Sequence, residues 1–166
     1  MKIGKNKTNF ILPLIDTSQA LRLIKKTLAV NAPNEGDLTR TFERKISKLL
    51  NVKYVAATTS GTIAMFLALK ALKINKGDEV LVPNLTFAAT INAVNLAGAK
   101  PILVDINKET LLFNLKKLRK KINKKTKAIL AVHISGRGSN ITELKKIANK
   151  NKLKLIEDAA EAFMSK

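Results

Sequence analysis

The chain has 166 residues, 46% of them hydrophobic, and a formal net charge of +19. That is enough apolar material for one sizeable core and too much for a disordered chain. The absence of cysteine excludes a disulfide framework and a thiolate metal centre, and no apolar run reaches the ~18 residues of a membrane-spanning helix.

The first stretch, "MKIGKNKTNFILPLID", begins basic and turns apolar. Its apolar part is too short for a secretory signal and lacks a small-residue cleavage site, so a cytoplasmic protein is expected. "DTSQALRLIKKTLAV" then spaces Ala20, Leu21, Ile24 and Leu28 as one face of a helix. "EGDLTRTFERKISKLL" repeats that spacing at Leu38, Phe42, Ile46, Leu49 and Leu50, with turn residues "NAPNEG" before it.

Beyond residue 50 the pattern changes. Short apolar runs "YVAAT", "EVLVP", "PILVD", "AILAVH" and "LKLIED" alternate with helical stretches starting near Ser60, Thr86, Asn114 and Ile141. Strands apolar on both faces and separated by helices predict an α/β fold: a mainly parallel sheet with helices on both faces. No strong linker divides it.

Ligands of such sheets gather at the carboxyl ends of the strands. After the first run, "TTSGTIAMFLALKAL" offers Ser60 as a helix cap, Gly61 for close backbone approach, and free amides at Gly61 and Thr62 for an anion. A plain helix cap has the same pattern. The helix behind it is apolar nearly all round, which predicts burial. After the second run comes Phe87, an aromatic that suits either the core or a platform for a flat ring. His133, the one histidine, ends the fourth run and reads either as a hydrogen-bonded structural residue or as a chemical one. "GRGSNI" lacks the third glycine of a dinucleotide fingerprint. The fifth run ends on Glu157-Asp158, with small Ala159 and Ala160 leaving room for close approach, and Glu161 follows.

Together these ends suggest one ligand with an anionic group for Ser60, Gly61 and Thr62, a flat ring for Phe87, and a protonated ring nitrogen for Asp158. Pyridoxal 5'-phosphate has all three.

The net charge raises a different reading. "NKETLLFNLKKLRKKINKKTK" carries nine Lys or Arg against one Glu, enough for a positive face. Only five of the 31 basic residues are Arg, however, and the cluster has one aromatic, Phe113. Bidentate base contacts and stacking platforms are therefore scarce. A solvated lysine-rich helix face accounts for the run, and nucleic acid is not the favoured partner.

The segments "NEGDLTRTFERKISKLLNVKYVAATTSGTIAMFLALKAL", "KGDEVLVPNLTFAATINAVNLAGAKPILVDI", "TKAILAVHISG" and "LKLIEDAAEAF" resemble, in order and spacing, the DegT-type sugar aminotransferases. These are pyridoxal-phosphate enzymes that aminate nucleotide-linked ketosugars, with glutamate as the usual amino donor. The resemblance implies the large domain of the aspartate aminotransferase type of fold. It also implies a homodimer, a nucleotide-sugar substrate, and a place in aminosugar and cell-surface polysaccharide biosynthesis. Residue by residue, it implies that Gly61 and Thr62, led by Ser60, bind the cofactor phosphate. Phe87 would stack on the ring, Asp158 would pair with the ring nitrogen as the catalytic carboxylate, and Glu161 would meet the ring hydroxyl. His133 falls in the family's Val-His-x-x-Gly motif without an assigned role. Ser135 stands where that motif usually has an aromatic, and Met164 where glycine is common.

The family's cofactor-bonding lysine lies downstream of the aspartate motif, and Lys166 stands too near Asp158 to match it. The expectation is therefore an N-terminal fragment: a helical segment over 1–30, the first part of the cofactor-binding large domain over 31–166, and a C-terminal domain outside the sequence. Two alternatives stay open, a catalytically silent pyridoxal-phosphate-fold binding protein and a basic α/β nucleic-acid-binding domain.

Overall fold

The structure, a computed structural model, describes residues 15–29 and 36–165. The start of the basic-to-apolar stretch, most of the "NAPNEG" turn, and Lys166 lie outside the described residues. The chain divides into two compact units, Met1–Ala57 and Thr58–Lys166.

The first unit contains helices α1 (Thr17–Leu28) and α2 (Asp37–Leu50). Asp16 caps α1 by accepting the Gln19 N–H at 3.0 Å, which satisfies one of the donors that a helix start leaves free. α2 ends on Asn51 in the left-handed conformation, a residue that tolerates it better than most. The apolar stripes expected of both helices are present, but Leu21, Ile24, Leu28, Phe42 and Leu49 are exposed.

The second unit is a four-stranded sheet in the order β2-β1-β3-β4. The strands are β1 (Glu79–Pro83), β2 (Lys100–Val104), β3 (Thr126–Val132) and β4 (Lys154–Asp158), and all neighbours pair in parallel. Parallel neighbours need crossovers. These are supplied by α4 (Ala88–Leu96), α5 (Leu115–Lys121) and α6 (Ile141–Lys150), while α3 (Gly61–Ala71) precedes the sheet.

Strand alternation sends side chains to two cores. Val80, Val82, Ala128 and Leu130 pack with Met65 and Leu69 of α3 and Ala93 and Val94 of α4. Leu81, Val104, Ile129 and Ala131 pack on the opposite face with Leu118 of α5 and Leu144, Ile147 and Ala148 of α6. The expected mainly parallel sheet with helices on both faces is what forms.

Two local expectations need correction. "YVAAT" forms no strand: Tyr54 is 80% exposed and residues 54–58 join no ladder. The Ala57 N–H, which a ladder would use, instead donates to the Glu43 carboxylate at 2.8 Å. The helix over "GTIAMFLALKA" is buried along one stripe only, at Met65 and Leu69. Phe66 and Leu72 are partly buried against the same core, and Leu67 on the other side is 48% exposed.

Candidate functional site

The strand order reverses between β1 and β3, because the chain leaves β1 toward β2 and leaves β3 toward β4. Crossovers leaving in opposite directions open a crevice at the carboxyl ends of the two central strands. A pocket of about 590 Å³ lies there. Its lining includes Ser60, Gly61, Thr62, Phe87, His133, Asp158 and Glu161, so the seven candidate site residues reach one cavity, while Glu157 and Ala159 do not line it.

Ser60 is the extended cap of α3, and its Oγ accepts the Ile63 N–H at 3.3 Å. The cap reading and the anion reading coexist. Ser60 Oγ satisfies Ile63 and Ser60 O accepts from Ala64, so the amides of Gly61 and Thr62 are the two that helix geometry leaves free. A Cβ on Gly61 would meet no atom within 4 Å. The pocket thus has open space beside the positive end of an 11-residue helix.

Phe87 is not core. It is 78% exposed and stands at the N-cap of α4 with an extended backbone. The start of α4 is fastened by buried Thr90, whose Oγ1 lies 2.8 Å from that of Thr86 and whose N–H donates to Phe87 O at 3.1 Å. An aromatic held out of the core on a fixed backbone is an available platform.

Asp158 ends β4. Its Oδ1 accepts the Ala160 N–H at 3.1 Å, and its other carboxylate oxygen has no hydrogen bond among the described residues. Glu161 accepts the Ser135 N–H at 2.5 Å. No Lys or Arg lines this pocket among the described residues, although the chain holds 31 of them. The lining therefore offers an anion two helix-terminal amides and offers a cation two carboxylates.

His133 is 8% exposed and bonded at both ring nitrogens. Its Nδ1 accepts the Ser139 N–H at 2.9 Å, and its Nε2 lies 3.1 Å from Glu157 Oε2. Ser135 and Met164, the two departures from the family pattern, both have left-handed backbones, with φ of 51° and 66°. Met164 thus holds a conformation that glycine takes without a Cβ clash. Sequence reasoning missed the supports Ser139 and Glu157 and the further lining residues Met65, Leu85 and Thr86. Of these only Thr86, directly before Phe87, carried a local signal.

A parallel α/β sheet with a bipolar pocket at its switch point defines a domain of the doubly wound class, built like the large domain of aspartate-aminotransferase-type enzymes. The chain belongs to the DegT/DnrJ/EryC1/StrS aminotransferase family, which it matches over residues 15–166. It is 41% identical over 133 residues to GDP-perosamine synthase of Escherichia coli O157:H7, covering 80% of this chain and 36% of that protein. It is 40% identical over 148 residues to 3-oxo-glucose-6-phosphate:glutamate aminotransferase of Bacillus subtilis, covering 89% of this chain and 34% of that one. The crystal structure of NtdA from Bacillus subtilis with bound cofactor PMP superposes with a TM-score of 0.78 at 39% identity, over 93% of this chain and 38% of that one. The chain thus spans little more than a third of the length of these relatives. No helix among the described residues is long and apolar enough to cross a membrane.

Proposed function

We propose that this chain is the first part of the cofactor-binding domain of a pyridoxal-phosphate-dependent aminotransferase that converts a nucleotide-linked ketosugar to an aminosugar, with glutamate as amino donor. In this reading residues 1–30 form a leading helical segment and 31–166 open the large domain. The whole protein works in the cytoplasm as a homodimer and supplies cell-surface polysaccharide synthesis. The observation that carries the reading is the convergence of Ser60, Gly61, Thr62, Phe87, Asp158 and Glu161 on one pocket at the switch point. The names of the relatives support the sugar class.

The pocket fits pyridoxal phosphate on its own features. Open space above Gly61 lies beside two free amides, an exposed aromatic stands on a fastened backbone, and a strand-end carboxylate keeps one oxygen free. Gly61 and Thr62 would hold the phosphate, Phe87 would cover one ring face, and Glu161 would accept from the ring hydroxyl. Asp158 would hold a proton on the ring nitrogen, because a carboxylate beside a cationic N–H favours the charged form. When bound, the cofactor supplies an electron sink for the pair released at the substrate carbon. No lysine lines the pocket among the described residues. The amine that bonds the cofactor and moves the substrate proton therefore belongs, in this reading, to another segment of the whole protein.

The test is to titrate the whole protein with pyridoxal phosphate and then supply glutamate with a panel of nucleotide-linked ketosugars. The expected result is saturable cofactor binding and cofactor-dependent formation of 2-oxoglutarate and an aminosugar. Tight binding without turnover of any ketosugar would favour the silent binding protein, and no binding would end the cofactor assignment.

A further inference from the structure

We propose that His133 is a positioning residue: neutral, with its proton on Nε2, it ties the β3–α6 loop to the strand ends and, through that loop, sets the Glu161 carboxylate at the pocket rim. A backbone N–H can only donate, so the 2.9 Å bond from the Ser139 N–H makes Nδ1 an acceptor. The proton of the neutral ring is then on Nε2, where it donates to Glu157 at 3.1 Å. Both ring nitrogens are engaged, and the backbone N–H of His133 donates to Asp158 O at 3.0 Å. With no free nitrogen facing the pocket, His133 is placed to orient its neighbours rather than to carry protons.

Ser139 closes the loop a second time. Its Oγ donates to Val132 O at 2.9 Å, so both its backbone and its side chain return to the end of β3. The loop between these ties contains two successive left-handed residues, Ser135 at φ 51° and Gly136 at φ 75°. For a residue with a Cβ that conformation costs about 1 kcal/mol or more and persists only where the surroundings enforce it. Here it aims the Ser135 N–H at Glu161 Oε2, and a Cβ on Gly136 would come within 3.4 Å of Glu161 O. Unfastening Ser139 lets the loop relax and removes the donor that fixes Glu161.

The hydrogen-bond network stands by itself, whereas its consequence for the cofactor rests on the function proposed above. The first experiment is a long-range nitrogen–proton spectrum of the imidazole in the whole protein at about pH 8, assigned by its loss in His133→Asn. An unprotonated Nδ1 with N–H on Nε2 is expected, and the opposite tautomer would overturn the proposal.

The second experiment compares two amides that mimic one ring nitrogen each. Asn places an acceptor near Nδ1 and Gln a donor near Nε2. In His133→Gln, hydrogen exchange at Ser139 and Ser135 should quicken by about 10-fold or more, the loss of one such bond. In His133→Asn both should stay within about 3-fold, and core amides such as Leu130 should hold in either variant. Unchanged Ser135 exchange in a folded His133→Gln protein would overturn the coupling. If that variant does not fold, the tautomer decides. With pyridoxal phosphate added, His133→Gln should shift the cofactor's visible spectrum while His133→Asn should not. A wild-type protein that binds no cofactor would end the functional reading, and exchange would still judge the network.

Discussion

Two regions of the second unit answer to opposite kinds of sequence signal. The lysine-rich run, by far the most conspicuous feature of the chain, folds into α5 and the turn after it. With α6 it borders a groove of about 370 Å³ lined by Arg119, Lys146, Lys150 and Glu143. Three of the run's nine charges have local partners: Arg119 lies 3.8 Å from Glu143, which Lys146 of α6 also meets at 2.7 Å, Lys117 meets Asp105 at 2.7 Å, and Lys121 donates to Leu103 O. The others face solvent as a lysine-rich surface. The pocket at the switch point is assembled instead from single residues that are unremarkable one by one, contributed by α3, the β1–α4 turn, β3 and β4. Exposed ion pairs contribute little because water screens them. Convergent groups on rigid elements can distinguish a ligand, so position in the topology is the better guide to chemistry than charge density.

Breaking the pocket should have the largest effect. In the whole protein, Asp158→Asn should lower turnover by about 10³-fold, some 4 kcal/mol of barrier, because an amide cannot hold the ring-nitrogen proton as a carboxylate does. Steady-state kinetics at saturating cofactor would show it. Gly61→Asp should come next. A Cβ on Gly61 would meet no atom within 4 Å and a carboxylate suits a helix start, so folding should survive, while the same carboxylate beside the free amides should weaken cofactor binding by about 10-fold or more, about 1.4 kcal/mol. Phe87→Ala should weaken binding less, by about 3- to 10-fold, and leave thermal stability within about 0.5 kcal/mol since the ring is outside the core.

Changes on the basic face should be smaller still. Lys117 holds the Asp105 carboxyl below the ordinary aspartate value of 3.8, first by its hydrogen bond and then by its charge. A carboxyl whose folded pKa is depressed adds stability above the unfolded value and loses it as pH falls through the folded one. Lys117→Met should therefore lose this small contribution at neutral pH and flatten the acid limb of a stability profile below about pH 4, so that variant and parent profiles converge in acid. Lys150→Gln should change cofactor binding not at all, and a marked loss would mean that the basic groove takes part in ligand capture.

Much of the fold was legible because its signals are local. "EVLVP" and "AILAVH" are apolar on both faces, as a strand between two helix layers must be, and Ser60 and Asn114 cap helices where expected. "YVAAT" misled because apolar content alone cannot supply a neighbouring strand, and the Ala57 N–H found the Glu43 carboxylate instead. Of the pocket residues, Phe87, His133, Asp158 and Glu161 were legible as strand ends and Ser60 to Thr62 as a helix start, together with the family motif. The network around His133 was not, because Glu157 and Glu161 come to His133 and Ser135 across 24 and 26 residues. Register in the β3–β4 pairing, which sets Val132 against Asp158, brings them together, and no periodicity encodes that partnership.

The most direct test of the pocket assignment is a crystal structure of the whole protein with pyridoxal phosphate. The phosphate should lie on the Gly61 and Thr62 amides, the ring against Phe87, and the ring nitrogen within hydrogen-bonding distance of Asp158. A cofactor seated elsewhere, for instance with its phosphate among Arg119, Lys146 and Lys150, would contradict the account.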